Sequence, residues 1–236
     1  MNLSADPATA APPPANAAPV QGQAPVLAAA DLGGQRGERA LFHGLNLQLQ
    51  PGQVVWLRGR NGRGKTSLLR IMAGLSSPAL GAVLCNDTPL PKQSSEWRRQ
   101  LVYIAHASAL KEDLTVAECL QFMAAVQGRK HTADEILAAL AVWGIAALHQ
   151  APVRTLSQGQ RRRTALARLA LPHPASVWLL DEPFDALDDE GVATLCSLLT
   201  AQSRRGGSVM LTSHQAVPLR DPEPVTVHLD NHAFAA

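Results

Sequence analysis

The chain has 236 residues, enough for one well-filled core and a smaller subdomain. Its net charge is +2, and Arg161-Arg162-Arg163 is the main basic cluster, so composition argues against nucleic acid as a partner. Cys85, Cys119 and Cys196 are odd in number, far apart and without C-x-x-C spacing, which excludes a disulfide framework and suits free thiols in a reducing compartment.

Residues 1–25 are dominated by Ala and Pro, and Pro12-Pro13-Pro14 cannot be helical, so a disordered extension is expected there. A secretory leader needs early basic residues before an apolar stretch, yet the first basic residue is Arg36. The longest mostly apolar segment, Ile136 to Leu148, is well short of the roughly 20 residues that span a bilayer. The chain is therefore expected in the cytosol unless a partner brings it to a membrane.

The apolar, β-branched run Val54-Val55-Trp56-Leu57 predicts a buried parallel strand, and Lys65 to Gly74 carries apolar residues at helical spacing and closes on glycine. Between them lie Gly59, Arg60, Asn61, Gly62, Arg63, Gly64, Lys65 and Thr66, in the spacing G-x-x-x-x-G-K-[ST] of a phosphate-binding loop. Three glycines let the backbone curl with its N–H groups inward, and the helix start adds partial positive charge. Lys65 then reaches the β- and γ-phosphates of a nucleoside triphosphate, and the Thr66 hydroxyl is left for Mg²⁺.

Leu156-Ser157-Gln158-Gly159-Gln160 precedes a helical segment that stops at Pro172; Ser157 and the free N–H groups there form an anion site or simply a capped helix. Ser176 to Leu180 is an apolar strand ending in Asp181 and Glu182, and a doubly wound sheet gathers its ligand sites at the carboxyl ends of its strands. Asp181 would orient Mg²⁺ and Glu182 would polarise the attacking water, although the pair alone would equally cap the next helix. Ser208 to Thr212 brings His214 to the same edge, where it is either a γ-phosphate contact or a surface residue. The eight histidines form no H-E-x-x-H, and His228 and His232 read as surface residues. The fold expected is α/β: a parallel sheet flanked by helices, an antiparallel β portion before and just after the loop, and a helical subdomain.

In this order, the phosphate loop, Leu-Ser-x-Gly-Gln, the strand with Asp181-Glu182 and the final His214 resemble the nucleotide-binding subunit of an ATP-binding cassette (ABC) transporter. The resemblance covers about Val26 to Asp230 and implies a P-loop NTPase of the ABC type: a RecA-like core at 26–93 and 161–236, and a helical subdomain at about 94–160. It implies ATP and Mg²⁺ as cofactors, phosphate contacts reaching Ser67, and a second copy placed head to tail. In that pairing, ATP on Lys65 is completed by Ser157, Gly159 and Gln160 of the other copy, with Asp188 at the seam.

Several departures stand out. His106 occupies the place of the glutamine that senses Mg²⁺ and couples to the membrane partner, Gln158 replaces a glycine, and Arg36 or Arg39 replaces the aromatic residue that stacks on adenine. With Arg36 to Phe42, Lys65 to Arg70, Leu156 to Arg163 and Thr212 to Gln215, these departures are similar to the ATP-binding export subunits of bacterial cytochrome c maturation. That likeness implies an integral membrane permease and other cytochrome c maturation proteins as partners. It also implies a peripheral location on the cytoplasmic side of the inner membrane, and work spent on haem export or on release of a haem-loaded chaperone.

Overall fold

A computed structural model describes residues 24–90, 95–174 and 176–232. The extension expected at 1–25 lies outside the described residues as far as 23. Ala24 itself is buried and donates its N–H to Gly206 O, so the fold begins earlier than the composition suggested.

Two sheets form the frame. The antiparallel one contains β1 (Leu27–Arg36), β2 (Arg39–Leu49), β4 (Leu80–Cys85) and β5 (Thr88–Pro89) in the order β2-β1-β4-β5. The parallel one contains β3 (Val54–Arg58), β6 (Leu101–Ile104), β7 (Val177–Leu180), β8 (Ser208–Thr212) and β9 (Val225–His228) in the order β6-β7-β8-β3-β9. Every residue of β7 and β8 is buried, as continuous apolar strands covered on both faces require.

The period-2 alternation of the parallel strands divides the interior in two. Val55, Leu57, Val177, Leu179 and Met210 face helix α1 (Lys65–Met72) and the antiparallel sheet, packing with Leu68, Leu69, Leu32 and Leu45. Val54, Trp178, Leu180, Val209 and Leu211 face the helical side, where they meet Leu120, Leu140, Trp143 and Leu166.

The helical part is built on α3 (Val116–Val126), α4 (Ala133–Val142) and α5 (Gln158–Leu166), and each begins with a capping box, Thr115–Glu118, Thr132–Glu135 and Ser157–Gln160. The other helices described are the short α2 (Ser95–Gln100) and the long α6 (Asp189–Arg204). One boundary moves. Strand β6 lies within the stretch assigned to the helical subdomain, yet it pairs in parallel with β7 and belongs to the core sheet. Its four residues, Leu-Val-Tyr-Ile, are too short and too symmetric in hydropathy for periodicity to have placed them.

Candidate functional site

Strand β3 ends at Arg58 and helix α1 starts at Lys65, so the glycine-rich loop is the turn between them. Gly64 caps the helix at φ +100°, and a Cβ there would sit 3.0 Å from Leu41 Cβ; glycine is required by both backbone and neighbour. Gly62 has φ +76° with open space around it, on the side that faces the cavity. One loop N–H departs from the inward arrangement: Arg60 N–H donates to Asp230 at 3.2 Å, and Arg63 lies 3.6 Å from the same carboxylate. Asp230 thereby pins the outer half of the loop to the chain following β9.

The cavity beside the loop measures about 640 Å³. It is lined by Arg60, Asn61, Gly62, Gly64, Lys65, Thr66 and Ser67 from the loop and α1, by His106 after β6, by Asp181 and Glu182 after β7, and by His214 after β8. Arg36, Arg39 and Leu41 close its far end from the β1–β2 hairpin. Lys65 is only 8% exposed, and its ammonium donates to Gly59 O at 2.8 Å, which ties the start of the loop to its end.

Asp181 is the fixed point of the acidic wall. Its Oδ2 accepts from Thr66 Oγ1 at 2.8 Å and its Oδ1 from Thr212 Oγ1 at 2.9 Å. Thr212 Oγ1 in turn accepts the N–H of Glu182 at 2.8 Å, so one buried hydroxyl positions both acids. Glu182 has φ +49°, a left-handed conformation that a side chain adopts only where its surroundings impose it. Its Oε2 accepts from His214 N–H at 3.0 Å, and its Oε1 lies 3.4 Å from His214 Nε2. Buried Arg162 crosses behind this wall and donates to the carbonyls of Ala105, Asp181 and Glu182. Burial, reinforced by the negative charge of Asp181, pushes the Tyr103 phenol up to about 12, so it stays protonated at the cavity edge.

Thr66 and Asp181 form a pair of hard oxygen donors of the kind Mg²⁺ takes, and among the described residues no group of three or more His, Cys, Asp or Glu side chains could hold a metal alone. The residues present thus fit a divalent ion that draws its other ligands from phosphate and water.

Ser157, Gly159, Gln160 and Asp188 do not line this cavity. Ser157 Oγ accepts from Gln160 N–H at 3.3 Å while Gln160 Oε1 accepts from Ser157 N–H at 2.9 Å. Asp188 caps α6 and accepts from Arg163 at 2.6 Å, and that hydrogen bond holds its carboxyl below the usual range. A Cβ on Gly159 would lie 3.4 Å from Ala186 O, so the signature helix and the Asp188 loop share one surface. His106 Nδ1 lies 3.5 Å from Asp185, linking the end of β6 to that same loop.

Thr212, Arg162, Asp185 and Asp230 are the functional neighbours that sequence reasoning did not single out. Thr212 ends a buried strand, the position from which a hydroxyl reaches the sheet edge, and that signal was available. Arg162 read only as one of three arginines in a basic helix start; nothing local distinguishes the one that turns inward.

A strand–loop–helix phosphate cradle, a buried acid paired with the loop threonine and a strained glutamate beside a histidine define a P-loop nucleotide-binding domain. Residues 42–185 match the ABC transporter family, and the chain belongs to it. It is 45% identical over 85% of its length to the Cytochrome c biogenesis ATP-binding export protein CcmA 1 of Cupriavidus metallidurans, spanning 97% of that protein. The Cytochrome c biogenesis ATP-binding export protein CcmA of Pseudomonas aeruginosa is likewise 45% identical over 85% of the chain, with 98% of its own length covered. In fold, an ABC transporter ATP-binding protein of Pyrococcus furiosus superposes with a TM-score of 0.75 at 24% identity, covering 89% of this chain and 100% of that one. No helix among the described residues is long and apolar enough to cross a membrane.

Proposed function

We propose that this chain is the ATP-hydrolysing subunit of an ABC transporter complex in c-type cytochrome biogenesis. In this reading it is held by an integral permease at the cytoplasmic face of a bacterial inner membrane. It powers haem export or the release of a haem-loaded chaperone. The observation that carries the reading is the single cavity joining the phosphate loop to Asp181, Glu182 and His214, in a chain 45% identical to export proteins named for that process.

The chemistry follows from the wall of the cavity. Loop N–H groups, the start of α1 and Lys65 hold the β- and γ-phosphates of ATP. Mg²⁺ would be held by Thr66 and Asp181 and would supply charge neutralisation for the triphosphate. Glu182 orients the attacking water and accepts its proton, and Thr212 keeps the carboxylate in place through the Glu182 N–H. His214 bonds Glu182 through its backbone N–H and sets its ring beside the γ-phosphate position. Arg36 or Arg39 offers a guanidinium plane to the base. Ser157, Gly159, Gln160 and Asp188 complete the site of a second copy, which accounts for their lying together outside this chain's own cavity. His106 links the γ-phosphate end of the cavity to the permease contact.

The test is affinity purification of the tagged chain from detergent-solubilised membranes of its host, with mass spectrometry of what remains bound. An integral permease together with cytochrome c maturation proteins is expected. An unrelated permease would keep the ATPase and remove the pathway, and recovery from the soluble fraction alone would remove the transporter.

A further inference from the structure

Around the start of β6 and β7, away from the nucleotide cavity, basic side chains from four segments meet. Arg129 follows α3, Arg168 lies in the 3-10 turn after α5, His173 leads into β7, and Arg205 caps the C-terminus of α6. Arg205 reaches the His173 ring at 3.2 Å and lies 5.7 Å from the Trp178 ring, and the His173 and Trp178 rings meet edge to face at 5.6 Å. Trp178, 1% exposed, is the floor; Arg205 is exposed and Arg129, Arg168 and His173 are half-buried, so the cluster is open to solvent.

Its electrostatics are one-sided. Arg129, Arg168 and Arg205 make no ion pair with an acid among the described residues, and each arginine carries five N–H donors. Backbone carbonyls and one amide take part of that capacity: Arg129 donates to Arg99 O, Arg168 to Tyr103 O at 3.1 Å and Arg205 to Gln202. Two buried donors, Arg168 Nε and Trp178 Nε1, have no acceptor at all. Burial and the charge of Arg129 bring Arg168 down to about 10, and burial first, then Arg205 and Arg129, brings His173 down to about 4. The imidazole is therefore neutral at pH 7 and accepts from Arg205, while the guanidiniums remain charged. The other titratable group acting on Arg168 is the buried thiol of Cys119.

Arginines grouped at one end of β6 and β7, two unmatched buried donors and no ion-paired acid for any of the three arginines among the described residues are the complement of a planar or tetrahedral oxyanion. We infer that Arg129, Arg168 and Arg205, the last of them over the Trp178 ring, form a second anion site that binds a phosphate-type oxyanion. Because Arg129 follows α3 of the helical part and Arg205 ends α6 of the core, an anion held by both ties one to the other. This inference stands apart from the nucleotide reading and shares no residue with it.

Inorganic phosphate is the probe, titrated at constant ionic strength into the full chain carrying Lys65→Ala to silence the phosphate loop. The readout is the Trp178 indole N–H resonance, assigned with Trp178→Phe. A saturable shift is expected in the parent, with the dissociation constant raised about tenfold or more by Arg205→Gln and by Arg129→Gln. Arg205 is exposed and Arg129 half-buried, and thermal denaturation checks that both variants fold. In a second arm, phosphatidylglycerol vesicles are sedimented with the chain; Arg205-dependent capture would make the phosphate a lipid headgroup, and phosphate binding without capture would make it a free anion. A Trp178 resonance indifferent to phosphate, with no Arg205-dependent capture, overturns the site, as does a response equal in the parent and both variants.

Discussion

In the proposed function Glu182 is the base that activates water, and its backbone is held in an uncommon conformation. Its φ of +49° is held by the Thr212 hydroxyl on its N–H and by the His214 N–H on its carboxylate. Glu182→Gln keeps the shape and the contact but removes the base, so ATP affinity should be retained while turnover falls by about a hundredfold or more; single-turnover assays beside nucleotide titration separate the two. Thr212→Val strips Asp181 of one donor and leaves the Glu182 N–H unmatched in a buried place. A loss of about 1–3 kcal/mol in urea unfolding is expected, together with slower turnover. Unchanged stability would mean that the hydroxyl does not hold the acids.

At the scale of elements, the site was legible where chemistry and periodicity coincide and obscure where only packing decides. The phosphate loop, Asp181-Glu182 and His214 each follow a run of apolar residues, so a strand end and a polar ligand appear together in the sequence. Strand β6 also runs into a polar residue, His106, yet its four residues were grouped with the helices that follow them. Ser157 was read both as an anion ligand and as a cap; in the chain its hydroxyl closes a capping box, and α3 and α4 repeat the device with Thr115 and Thr132. Arg162 could not be told from Arg161 and Arg163, because helix α5 buries one arginine for the sake of carbonyls that come from two distant strand ends.

His173 gives this scale a pH signature. Its folded value, about 4, lies below the usual 6.5, so the unfolded chain takes up a proton first as the solution is acidified. Folding stability should therefore be unaffected above neutrality and fall between about pH 6.5 and 4, by on the order of 3 kcal/mol from this group. His173→Gln should flatten that part of the profile in urea unfolding at a series of pH values.

For the whole molecule, the decisive feature is a division: the phosphate loop and acids share one cavity, while Ser157, Gly159, Gln160 and Asp188 lie together elsewhere. In the proposed function two copies placed head to tail turn these halves into two complete sites, and hydrolysis then belongs to the pair. The direct measurement is ATP turnover by an equimolar mixture of Lys65→Ala and Ser157→Arg chains, each inactive alone. Mixed pairs contain one site with an intact loop facing an intact signature, so turnover should recover to roughly a quarter of the wild-type rate. A mixture as inactive as its components, with mixed pairs shown to form by light scattering and tag capture, would contradict a site shared between two copies.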